Sequence, residues 1–232
     1  QREPMADINE RISSVFSPFI VIVFTAIAAQ LIGTYHARSL VLGGYFYLLW
    51  VIVRIVLPVA VLIALRVPLS RIGLGLPQFD RLTRNLVIAA VVMLVAAFAG
   101  IYFLKGYFTH YSASFTGPGG DSLGRFANFM IFTSSTLTGW EFIHRGFLLM
   151  GLYYVLSERD GVPAEKAAMI AVAVVWVFEV VFHFIKPELE ALGLLVGSPL
   201  LSWLALRLRS IWIPFLLHFL VELLFIATLI LQ

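Results

Sequence analysis

An all-α, polytopic transmembrane helical bundle of about seven spans, within a range of six to eight, is predicted by three observations. Of 232 residues, 61% are hydrophobic and only 12% are charged, about half the charged fraction of a typical soluble domain. The mean hydropathy is +0.97. The apolar residues fall into runs near the ~20 residues that a helix needs to cross a bilayer. So much apolar surface needs lipid as its solvent.

The spans are read in chain order. The first runs over 18–34 and the second over 40–65, interrupted by Arg54. The third covers 86–104. The fourth covers 126–156, long enough to tilt or to break near 133–139. The fifth covers 164–185, the sixth 191–206 with Pro199 inside it, and the seventh 211–231. Between the second and third, Arg66, Arg71, Arg81 and Arg84 alternate with Gly73, Gly75 and Pro77. That stretch, 66–84, reads as an amphipathic surface segment at the headgroups. Gly117-Pro118-Gly119-Gly120 marks a turn in the loop 105–125. It lacks the Lys-Ser/Thr ending of a phosphate loop. The chain divides into N-terminal membrane helices, 1–125, and a C-terminal core, 126–232.

Cationic residues give the orientation. Arg2, Arg11, the four arginines of 66–84, Arg159, Lys166, Arg207 and Arg209 fall on one side, ten in all. Arg38, Lys105, Arg125 and Lys186, four in all, fall on the other. The positive-inside rule then places the N-terminus in the cytoplasm. The net charge of +3 is dispersed between apolar runs, so a nucleic-acid surface is not expected. The expected location is within a membrane, with lipids as partners. No cysteine is present, which excludes disulfides and thiolate metal sites.

Charge inside the spans is what needs explaining, because an ionised group in hydrocarbon costs at least a few kcal/mol. Apart from Arg54, these residues lie in the C-terminal half: Glu141, His144 and Arg145, then Glu179 and His183, then His218 and Glu222. Glu141 and Arg145 are four apart, as are Glu179 and His183, and His218 and Glu222, so each pair shares a helix face. If the three faces converge, the membrane holds a polar cavity suited to activating water. Each residue has a plainer reading. Glu141 with Arg145 is equally a buried ion pair, Glu179 a protonated interhelical hydrogen-bonder, and Glu222 simply the partner of His218. His144 is expected on a different face from Glu141, as a packing or interfacial residue. Arg54 is expected to snorkel or pair. A His and carboxylate metal site is the less favoured reading, because the donors are scattered over three helices, so no cofactor is expected.

Trp140-Glu141-Phe142-Ile143-His144-Arg145-Gly146 resembles the first motif of the CPBP family, the CAAX prenyl endopeptidases and bacteriocin-processing or immunity proteins also called Abi, usually Glu-Glu-x-x-x-Arg. Glu179 to His183 resembles the second motif, Phe-x-x-x-His. Ser210 to Glu222 resembles the last, a His followed four residues on by Asn or Asp. Trp140, Glu179 and Glu222 depart from that pattern. Trp140-Glu141-Phe142 with Lys186-Pro187-Glu188 looks like a Trp-Glu-Phe branch of the family. The resemblance implies an intramembrane, metal-independent glutamic peptidase of a prokaryotic inner membrane, with a peptide or membrane-protein substrate as partner. In that reading Glu141 activates water with Arg145 as orienter and His183 as partner, Glu179 is an alternative base, and His218 with Glu222 binds the oxyanion. Two other readings stay open: an inactive scaffold or immunity protein of the same fold, and a proton-coupled small transporter, for which no inverted repeat is visible.

Overall fold

The computed structural model describes residues 18–33, 52–102, 134, 136–183 and 188–231. Among them every regular element is helical and none is a strand. Seven helices appear among the described residues. They are α1 (Pro18–Gly33), α2 (Ile52–Ala64), α3 (Arg81–Tyr102), α4 (136–159), α5 (Ala164–His183), α6 (Glu188–Leu208) and α7 (Trp212–Leu231). The first half of the second predicted span, the loop 105–125 with its Gly117–Gly120 turn, and Lys186-Pro187 lie outside the described residues, as does the boundary set at residue 125.

The third helix starts five residues earlier than its apolar run, because Asp80 caps it. The Asp80 carboxylate accepts the Thr83 N–H at 2.6 Å, satisfying one of the donors that a helix start leaves open. Arg81 and Arg84 therefore belong to α3, not to the surface segment as predicted. The fourth helix runs through 136–159 without a break. It changes winding instead: Phe142–Met150 and Val155–Arg159 are π-helical around an α turn, Gly151–Tyr154. Pro199 sits inside α6.

By length and composition, α5 is the one described helix apolar enough to cross a membrane unaided; α1, α2 and parts of α6 and α7 are shorter apolar helices. At ~1.5 Å rise per residue, twenty residues match the ~30 Å hydrocarbon layer.

The main core is built around α4. Ile143, Phe147, Leu148, Leu149 and Leu152 are buried with Ile22 and Ala26 of α1, Val53 and Leu62 of α2, and Ala171 and Val175 of α5. Residues from both sides of position 125 therefore share one apolar cluster. A smaller cluster joins Ala90 of α3, Leu204 and Leu208 of α6, and Leu217 of α7.

At one end of the molecule the connection 65–80 is pinned to the α6–α7 turn. Ile211 N–H donates to the Gly73 carbonyl at 2.9 Å and Gln78 N–H to the Leu208 carbonyl at 3.1 Å. Ser210 Oγ–H donates to the Gly75 carbonyl at 2.8 Å, and Trp212 Nε1–H to the Leu74 carbonyl at 3.0 Å. Gly73 is required there: its φ is +77°, and a Cβ would stand 2.9 Å from Met150 Cε. Arg71 pairs with Glu158 at 3.1 Å and Arg207 with Asp80 at 2.8 Å. The arginines of 66–84, Arg159, Arg207 and Arg209 thus gather at the same end, as the charge reading groups them. Two helices stop there on a left-handed arginine, Arg66 at φ 58° and Arg209 at φ 49°. The following N–H closes each turn, Val67 onto the Leu62 carbonyl and Ser210 onto the Ala205 carbonyl.

Candidate active site

The polar residues of α4, α5 and α7 meet inside the bundle. Glu141, His144, Arg145, Glu179 and His183 are all buried, while His218 keeps about a fifth of its side chain exposed (21%).

Arg145 is the central cation. Its Nη2 donates to Glu179 Oε2 at 2.9 Å and its Nη1 donates to Glu179 Oε1, a bidentate pair. The same Nη1 stands 3.4 Å from Glu141 Oε1. One guanidinium therefore serves both carboxylates, and its main partner is on α5. The sequence spacing pairs it with Glu141 alone. Neither carboxylate nor guanidinium is more than 1% exposed. Such a set is stable only while its partners stay together, since each buried charge otherwise faces a desolvation cost of several kcal/mol.

Glu141 has a second partner. His218 Nδ1–H donates to its Oε1 at 2.7 Å, joining α7 to α4. Glu141 Oε2 is buried and makes no hydrogen bond among the described residues. An acceptor so placed is rare in a folded chain and calls for a functional explanation. Glu222, expected to partner His218, lies one turn further along α7, half-buried, within electrostatic reach of the imidazole.

The α5 pair also differs from expectation. His183 Nδ1–H donates to the backbone carbonyl of Glu179 at 2.8 Å, while the Glu179 carboxylate turns to Arg145 and Trp140. His183 reaches the cluster through the Trp140 ring, edge-on at 5.0 Å between centroids.

Trp140 and His144 were not expected in the site. Trp140 Nε1–H donates to Glu179 Oε1 at 3.1 Å. His144 is fully buried, its ring 4.1 Å from the Trp140 ring, its Nδ1–H donating to the Trp140 carbonyl at 2.7 Å and lying 3.8 Å from Glu179 Oε1. The packing role expected of His144 is corrected in this respect: its face differs from that of Glu141, but α5 covers that face and brings Glu179 to it. The π winding contributes, because its i→i+5 bonds widen the turn and align residues four apart more closely than the ~3.6-residue α turn. Trp140 thus lines up with His144 and Glu141 with Arg145. The readable signal was that Trp140 and His144 repeat the i, i+4 spacing of Glu141 and Arg145. Arg54, expected to snorkel or pair, does not snorkel: it is 2% exposed and lies over the Trp140 ring, 5.4 Å from its centroid.

From α6, Ser198 and Ser202 are buried, and neither hydroxyl makes a hydrogen bond among the described residues.

Among the described residues no group of three or more His, Asp or Glu side chains is arranged to hold a metal ion. The chemistry of the donors agrees, because a guanidinium between two carboxylates supplies the positive charge that a cation would bring.

Residues 122–224 match the family model described as type II CAAX prenyl endopeptidase Rce1-like. The match spans the first, second and last motifs, and the CPBP-type resemblance seen in the sequence is therefore shown over that segment. No curated protein and no solved structure matches the chain.

Proposed function

We propose, from the premise that residues 122–224 form a CAAX-protease-type, Rce1-like segment, that this chain is a polytopic intramembrane endopeptidase whose water activator is Glu141. The observation that carries the reading is the division of labour on that carboxylate. Oε1 is held by His218 at 2.7 Å and lies near Arg145 at 3.4 Å, while Oε2 is buried with no hydrogen-bond partner among the described residues. An oxygen of this kind takes a proton from water while its twin fixes the geometry.

The water oxygen then bonds to the scissile carbonyl carbon, and the carbonyl oxygen becomes an oxyanion. His218, linked through Nδ1 to Glu141, offers Nε2 to that oxyanion when doubly protonated. The proton taken by Glu141 passes to the leaving amine as the C–N bond breaks. His218 thus replaces His183 as the imidazole partner of Glu141. Glu179, bound by Arg145 and Trp140, orients the arginine. His183 contributes a second imidazole near Trp140, and Glu222 adds negative charge beside His218. The substrate class follows the family: a peptide or membrane protein cleaved near a C-terminal CAAX-type, prenylated end.

The chain is further proposed to cross an inner membrane with its N-terminus and its arginine-rich end in the cytoplasm, and residues 126–232 to form the catalytic core. An inactive relative that binds a membrane partner is the second reading. It is favoured by one observation, the use of Trp140, where the family usually has its first Glu, as a donor to Glu179.

The test is cleavage of a prenylated and an unprenylated CAAX peptide library by purified protein in proteoliposomes. Cleavage by wild type that disappears in Glu141→Gln and His218→Ala supports the peptidase. Peptide binding without cleavage by wild type supports the partner-binding relative.

A further inference from the structure

We infer that Arg54, from α2 and outside the segment that matches the family model, is a positioning residue of the site: its guanidinium holds the Trp140 indole where it donates to Glu179. Its kinetic consequence rests on the peptidase reading; its structural consequence does not.

Arg54 is among the largest fully buried side chains of the molecule. A guanidinium on a short helix facing lipid would extend toward a headgroup. Here it turns inward, and the fold makes room for it on two sides. A Cβ on Gly33 of α1 would lie 3.3 Å from Arg54 Nε and 3.4 Å from Nη2. A Cβ on Gly139 of α4 would lie 3.1 Å from its Cβ and 3.2 Å from its Cδ. Both contacts are tighter than ordinary packing, so glycine at these positions leaves a slot for this side chain.

The slot directs the cation onto the face of Trp140, with 5.4 Å between Cζ and the ring centroid. An arginine there is attracted by the negative face of the indole, most strongly when desolvated. Trp140 also touches three polar groups of the site. It donates to Glu179 at 3.1 Å, packs at a tilt against His144 with 4.1 Å between centroids and meets His183 edge-on at 5.0 Å. Fixing the indole plane fixes three polar groups at once. An N-terminal helix thereby takes part in chemistry otherwise confined to the last four helices.

The test uses the full chain labelled with 5-fluorotryptophan in detergent micelles. The chain has five tryptophans, and the Trp140 resonance is the one that Trp140→Phe deletes. Arg54→Met should shift that resonance and leave the other four in place, and Arg54→Lys should keep it near its wild-type position. On a cleaved peptide, Arg54→Met should lower kcat by about 10–100-fold, as a slightly displaced site does, with KM changed by less than about twofold, while Arg54→Lys recovers most of kcat. A folded Arg54→Met with an unmoved Trp140 resonance and unchanged kcat overturns the assignment. If Arg54→Met does not fold, Gly33→Ala supplies the test, because its methyl displaces the guanidinium; an unmoved resonance there overturns the assignment as well. If wild type cleaves no peptide, the peptidase reading fails and the resonance alone decides the role of Arg54.

Discussion

His218 and Glu141 are 77 residues apart in the chain, and their side chains meet at 2.7 Å. This contact ties the last helix to the helix that carries the first motif. It also leaves one carboxylate oxygen held and the other open. Glu141→Gln keeps the shape and removes the basic oxygen. We expect cleavage to fall by about 10²–10⁴-fold, the usual contribution of a general base, with the melting temperature little changed. Equal rates for Glu141→Gln and wild type in a CAAX peptide assay would remove Glu141 from the chemistry.

Arg145 and Glu179 form the bidentate pair at the centre of the bundle. Glu179→Ala leaves Arg145 short of a partner in a buried site. Breaking such a pair on one side costs about 3–5 kcal/mol, so the variant should melt well below wild type in a detergent thermal-shift assay. Replacing both members, as Arg145→Met with Glu179→Leu, should recover stability relative to the single variant without recovering cleavage. A double variant less stable than Glu179→Ala would contradict this account.

Asp80 lies in the connection before α3, exposed to solvent. The Thr83 backbone N–H, the Thr83 hydroxyl and Arg207 hold its carboxyl at about 2, against an ordinary value of 3.8. A folded-state value below the unfolded one means that the stabilisation is present above about pH 4 and is lost as pH falls toward 2. Asp80→Asn should therefore lower the melting temperature at pH 7 and match wild type near pH 2. A difference that persists unchanged across that window would refute the assignment.

Removal of metal should leave the reaction intact, because the site places the Arg145 guanidinium between its two carboxylates. Cleavage after incubation with EDTA or 1,10-phenanthroline should equal that of untreated protein. Loss of activity on chelation, restored by added zinc, would point to a metal held by these residues.

The absence of cysteine makes the topology directly measurable. Leu76→Cys, at a site 87% exposed, lies in the connection that carries Arg71, and Gly161→Cys lies just beyond the end of α4, where Glu158 pairs with Arg71. In inside-out vesicles both should react with a membrane-impermeant maleimide, and in right-side-out vesicles neither should. The opposite pattern would invert the proposed orientation.

Much of the fold was legible because long apolar runs form helices, and α5, α6 and α7 lie close to their predicted limits. The start of α3 was missed because a cap at Asp80 overrode hydropathy. At the site, the i, i+4 rule identified which residues share a face but not what lies opposite. It paired Glu179 with the His183 side chain, yet His183 turns to the Glu179 backbone and the carboxylate to Arg145. It placed His218 and Glu222 on one face, but could not show that α7 packs so that His218 also meets Glu141. Arg54 and Trp140 had no signal of this kind, since their link crosses between α2 and α4. It depends on two glycines whose role appears only in three dimensions.

The clamp of Gly73, Leu74 and Gly75 on Ser210, Ile211 and Trp212 sits fewer than two turns before His218. The imidazole therefore inherits its height from the arginine-rich end of the molecule, as the tip of a short lever inherits its position from the fulcrum. A slip of α7 by one residue would carry the ring ~1.5 Å along the axis and swing it about a quarter-turn away from Glu141. A connection remote from Glu141 thus sets the registration of the His218–Glu141 pair.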